Sequence, residues 1–144
     1  VVLLIAVGVL FIRDRRDDDT PVAPTPVAGH NQAIDVLNAL KDQDLDAHFG
    51  DQGSDVRSEM LERPGQTIEL PDGTAYVFIY PDFDARDDAT LDVLAEDVDL
   101  VDVAGDPIDA DEATLFTNSN VAVLLVASDP ETIAKVEQAV NKLR

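Results

Sequence analysis

Two stretches of this chain, Gln66 to Ala95 and Thr114 to Leu143, follow one order of parts: strand, tight turn, strongly apolar strand, acidic cap, helix. Tight turns join antiparallel neighbours, and a helix that follows a hairpin needs a sheet face on which to bury its apolar stripe. The residues of the two stretches match poorly, so the echo is one of structure and not a sequence repeat. The simplest architecture that satisfies it is an α+β two-layer sandwich over residues 31–144, with helices on one face of a mainly antiparallel sheet.

The individual elements follow from spacing. A helix is expected from Asn31 to about Gln43, with Ile34, Leu37 and Leu40 on one stripe and Val36 beside them. Leu45 to Phe49 alternates apolar and polar side chains like a half-buried strand, and 50–55 reads as a loop. Strand-like runs follow at Val56 to Leu61, Gln66 to Leu70 and Thr74 to Tyr80, with turns assigned to Pro64-Gly65 and Pro71-Asp72-Gly73. The run AYVFIY is apolar throughout, which suits a central strand.

Asp82 or Asp84 caps a short helix that is expected to end near Ala95. Val98 to Val103 reads as an irregular or edge strand, broken at Gly105-Asp106-Pro107. Leu115 to Thr117 and Val121 to Ala127 flank the polar turn Asn118-Ser119-Asn120. In the last helix Ser128 and Glu131 form a capping box with Pro130 in the first turn, and Ile133, Val136, Val140 and Leu143 give the apolar stripe.

The start of the chain has a different character. Val1 to Ile12 carries no charged or hydrogen-bonding side chain, and Arg13 to Asp19 carries nothing but charge. A bilayer-crossing helix needs about 20 apolar residues. Val1 to Ile12 is shorter and opens on Val, so the expectation is a single-pass transmembrane anchor completed by residues upstream. A cleaved signal or a lipid site are the alternatives; no small-x-small cleavage pattern follows the apolar run. Residues 13–30 then form a charged and Pro-rich linker, in which TPVAPTPVAG is suited to an extended spacer.

Orientation has signals on both sides. Arg13, Arg15 and Arg16 favour a cytoplasmic flank, whereas the spacer and the net charge of −20 favour a domain outside, away from the anionic cytoplasmic leaflet. The reading adopted is a soluble domain facing outside the cytoplasm. Nucleic acid is an unsuitable partner, because binding it takes clustered Lys and Arg and the chain has three Lys. The excess of Asp fits a high-salt surface or a GC-rich codon bias equally well. Without cysteine, disulfides and thiol chemistry are excluded.

The run RPGQTIELPDGTAYVFIYPD, Arg63 to Asp82, together with VAVLLVASDPETIAKVEQAV, resembles a loose group of small bacterial extracytoplasmic proteins anchored by a signal or a lipid. The present chain lacks the tryptophan of that group and starts directly in an apolar segment. The resemblance implies fold and placement; the group has no established activity to carry over.

Candidate chemistry is sparse. Asp82, Asp84, Asp87 and Asp88 form an acidic loop with enough oxygens for Ca²⁺, but Arg86 and Asp87 stand where an EF-hand needs an acid and a glycine, so the simpler role is a solvated helix start. Asp106, Asp109, Asp111 and Glu112 make a second such loop, also without a recognised ligand order. His30 and His48 lack any nucleophile motif beside them. Tyr76, Phe78 and Tyr80 alternate to one side of a strand, where core packing is the expected fate and a stacking platform the alternative. Arg57 and Arg63 are rare cations near the sheet that could hold a carboxylate ligand, with pairing to neighbouring acids the simpler expectation. No catalytic, metal or cofactor residue is assigned. The functional expectation is a non-enzymatic, membrane-anchored binding or assembly domain with an envelope protein as partner. The alternatives are a ligand- or calcium-sensing domain and a hydrolase of unfamiliar type.

Overall fold

The computed structural model describes residues 28–52 and 54–144. The apolar segment Val1 to Ile12 and the linker up to residue 27 lie outside the described residues. Among the described residues no helix is long and apolar enough to cross a membrane.

The elements run α1 (Ala33–Lys41), β1 (His48–Phe49), β2 (Val56–Arg57), β3 (Pro64–Leu70), β4 (Gly73–Ile79), α2 (Phe83–Thr90), a single 3-10 turn (Ala95–Asp97), β5 (Leu100–Asp102), β6 (Pro107–Ile108), β7 (Ala113–Asn118), β8 (Val121–Ala127) and α3 (Pro130–Asn141). The strands form one sheet in the order β6-β5-β2-β3-β4-β8-β7, with β1 also on β3. Every pairing is antiparallel.

The central pair is β4 and β8, matched from Gly73↔Ala127 to Ile79↔Val121. Each is the second strand of a hairpin, β3-β4 and β7-β8, and each leads into a helix capped by an aspartate. The Asp82 carboxylate accepts the Ala85 amide at 2.8 Å, and the Asp129 carboxylate accepts the Thr132 amide at 2.8 Å. The structural echo between the two stretches is therefore present, with its two halves meeting at the β4-β8 seam. Asp129, and not Ser128, caps α3; the Thr132 amide and hydroxyl hold its carboxyl below the usual range.

The order of strands forces the sheet to curl. β6 and β7 stand at opposite ends, and a flat sheet of that order would place them about 29 Å apart at the usual strand spacing of about 4.8 Å. Four residues, Asp109 to Glu112, join them, and a fully extended chain covers about 18 Å between Ile108 and Ala113. The curl wraps around a cluster of Val56, Leu61, Tyr76, Phe78, Tyr80, Val98, Leu100, Ala122 and Leu124. The 3-10 turn lies against β7, with its Ala95 packed on this cluster.

A second cluster fills the other face, where Val36, Leu37 and Leu40 of α1 and Val136, Ala139 and Val140 of α3 cover Ile68, Ala75, Val77, Val123 and Leu125. The helices thus do not all share one face: Ala85 and Ala89 of α2 pack against the curled side. That division follows from the alternation along β4, since Val77 faces α1 and α3 while Tyr76 and Phe78 face inward.

Several local expectations shift for physical reasons. On α1 the buried stripe is Ala33, Val36, Leu37 and Leu40, an i, i+3, i+4, i+7 series, and Ile34 is left 43% exposed. β1 spans two residues, although Leu45 and Ala47 are buried as the alternation requires. The expected strand Val56 to Leu61 ends at Arg57, because the Ser58 hydroxyl accepts the Leu61 amide at 3.3 Å and turns the chain. Pro64 and Gly65 consequently lie in β3, not in a turn, and Glu62, at φ +54°, makes the bend. α2 stops at Thr90, whose hydroxyl donates back to the Arg86 carbonyl at 2.9 Å.

Candidate functional site

The bend Ser58 to Glu62 and the strands β5 and β6 form the walls of an open groove of about 1070 Å³. Val98, Leu100 and Ile108 give it an apolar floor, and Arg57 and Arg63 stand on its wall. β2 is the hinge of this arrangement: Arg57 is in register with Pro64 of β3 on one side and with Val101 of β5 on the other. The bend after Arg57 brings Arg63 back to the same wall.

Both guanidinium groups are available. The ion pairs among the described residues are His48–Glu69, Arg86–Asp87 and Lys135–Glu131, and neither Arg57 nor Arg63 takes part in one. Pairing with neighbouring acids, the simpler expectation from the sequence, is not seen among the described residues. Two exposed arginines on an apolar-floored groove supply forked donors suited to a carboxylate. Glu59, Glu62, Asp99 and Asp111 on the rim supply acceptors for a cationic part of the same ligand.

Tyr80 lies beneath the bend. It is 3% exposed, and its hydroxyl donates to the Leu61 main-chain oxygen at 2.8 Å, fixing the bend to the end of β4. Burial pushes the phenol up from 10.0 to about 12, although Arg63 nearby pulls it down. The protonated phenol is favoured in the fold, so this contribution to stability is complete below pH 10 and is lost as the pH rises towards 12. Ultraviolet titration is expected to show one of the two tyrosines ionising near 12, with loss of fold over the same range. Tyr80→Phe is expected to cost about 1–2 kcal/mol in urea unfolding, because the Leu61 oxygen loses its donor.

No family model, no curated protein and no solved structure matches the chain.

The other sequence candidates have local roles. The Asp82 carboxylate caps α2, and Asp87 pairs with Arg86. In the second acidic loop, Asp109 accepts the Asp111 amide at 3.0 Å, and the Asp106 amide donates to Asp102 at 2.9 Å. Among the described residues no three His, Asp or Glu side chains gather in a way that could hold a metal ion. His48 bonds Glu69 at 3.0 Å on the surface, and His30 is exposed away from the groove. Tyr76, Phe78 and Tyr80 are buried inside the curl, so the aromatic row is core.

The bend itself was hidden from sequence reasoning. Val56 to Leu61 has the alternation of a strand, and the one signal against it is Ser58 three residues before Leu61, the spacing of a hydroxyl-capped turn.

Proposed function

We propose that the chain is a single-pass, membrane-anchored protein whose folded unit faces outside the cytoplasm and binds another envelope component without transforming it. The observation that supports binding most strongly is the groove itself. Its volume suits a ligand or a peptide segment, its floor is apolar, and its two cations have no ion-pair partner among the described residues. The apolar run before the charged cluster and the spacer after it supply the anchor and the stand-off.

The recognised group carries a carboxylate beside an apolar body, with a cationic portion on the acidic rim. A peptide or a zwitterionic wall fragment has this chemistry.

A photo-crosslinking amino acid at Glu59 on the rim tests the reading in native membranes. The expected result is a discrete adduct that disappears in the Arg57→Glu/Arg63→Glu double variant. An adduct pattern unchanged by that double substitution, or no adduct, contradicts binding at the groove.

A further inference from the structure

The two edges of the sheet are treated differently. β6 is two residues long and begins with Pro107, followed by an acidic connection, so this edge offers little to pair with. β7 is a regular strand of six residues, ATLFTN, with no charge and no proline. Among the described residues nothing pairs with its outer side.

The hydrogen-bonding pattern shows which groups are left. The two-residue turn closes on the pair Asn118↔Val121, so the hydrogen-bonded pairs with β8 are those of Asn118, Phe116 and Thr114. The amides and carbonyls of Leu115 and Thr117 therefore point outwards. Ala113 has its amide bonded to Ala110 and its carbonyl free of the ladder.

A trough of about 500 Å³ runs beside these groups, between β7 and the segment that follows α2. It is lined by Ala113, Leu115 and Thr117 on one side and by Leu91, Val93 and Leu94 on the other. Leu91 and Leu94 are 71% and 58% exposed, the two most exposed large apolar side chains of the described residues. Asp87 also lines the trough, and Asp88, Asp92, Asp97 and Glu112, which adjoin its lining segments in the chain, are exposed.

We infer that the outer edge of β7 receives an extended segment of a partner protein, added to the sheet as a further strand, in which apolar side chains alternate with lysine or arginine. Main-chain groups of Leu115 and Thr117 pair with the incoming strand, its apolar side chains enter the trough, and its cations, which project from the opposite face, are drawn by the chain's net charge of −20. A second copy of this chain is disfavoured as occupant, because it would bring the same net charge of −20 against this surface. This surface is separate from the groove, and the inference stands or falls independently of it.

The test uses the full chain in detergent micelles and a fluorescent synthetic peptide alternating lysine with valine, read by anisotropy. Saturable binding is expected, at least about tenfold weaker for the same peptide N-methylated at alternate amides. Leu91→Asp/Leu94→Asp is expected to weaken binding by about tenfold or more, with unchanged circular dichroism. Simple attraction of a basic peptide to an acidic surface would be strengthened by those two substitutions. Equal affinity for the N-methylated peptide, or undiminished binding in the double variant, overturns the inference. So does a homodimer in sedimentation that the double variant abolishes.

Discussion

Asn120→Ala is expected to lower stability by about 3–5 kcal/mol in urea unfolding, more than any substitution of an exposed polar residue in this domain. Asn120 is 1% exposed at the turn between β7 and β8. Its Nδ2 donates to the main-chain oxygens of Asn31 at 3.0 Å and Tyr80 at 2.9 Å. Its Oδ1 accepts the Asn31 amide at 2.8 Å and the Asn31 Nδ2 at 3.1 Å. One side chain thus joins the segment before α1, the end of β4 and the β7-β8 turn. Asn31 Nδ2 extends the node to the Arg144 main-chain oxygen at 2.6 Å, and Asn118 Nδ2 donates to the Val140 oxygen in the last turn of α3 and to the Leu143 oxygen beyond it. Truncation at Asn120 leaves buried donors and acceptors without partners, which costs more than the bonds themselves contribute. Asn120→Asp keeps the acceptor but turns a carboxylate towards two carbonyl oxygens, and a comparable loss is expected.

The second large effect is expected at Gly73→Ala, about 2–4 kcal/mol by the same measurement. Gly73 starts β4 opposite Ala127, and a Cβ there would lie 2.5 Å from the Val126 main-chain oxygen and 2.7 Å from the Ala127 Cβ. Backbone in the central pair of the sheet cannot retreat without disturbing the seam. Gly65→Ala is a useful comparison. Its Cβ would meet the Phe78 ring at 2.7 Å and a Val56 methyl at 2.9 Å, and side chains can adjust, so a smaller loss of about 1–2 kcal/mol is expected. A neutral Gly73→Ala would show that β4 and β8 are not as close at this end as described.

These two residues also show what the sequence makes legible. Gly73 reads as a turn glycine following Pro71-Asp72, but its φ is not positive; its role is close approach to a strand more than fifty positions away, which no local pattern reveals. The two hairpins, the central AYVFIY strand and the helix after β8 are legible because each rests on local period and turn chemistry. Their seam along β4 and β8 is legible only as a shared order of parts. The division of the helices between two faces is not, because it depends on the curl, and the curl depends on how short the β6-β7 connection is relative to the width of the sheet.

At the candidate site, Arg57 and Arg63 are legible as scarce cations in an acidic chain. Their common groove is not, because the bend that joins them is disguised as a strand. Arg86 is the reverse case. By sequence it interrupts an acidic loop, and in the fold it is 6% exposed, its Nε donating to the Ser119 carbonyl at 3.0 Å and its guanidinium 4.6 Å from the Phe83 ring centre. It ties α2 to the β7-β8 turn.

Placement outside the cytoplasm on a retained anchor is the proposal on which the envelope-binding reading rests, and the absence of native cysteine makes it directly measurable. Asp72→Cys puts a single thiol on the exposed turn between β3 and β4. The expected result is labelling by a membrane-impermeant maleimide in spheroplasts, with the labelled chain remaining in the membrane pellet after alkaline extraction. Labelling only after the membrane is dissolved, or release of the chain by alkali, contradicts it.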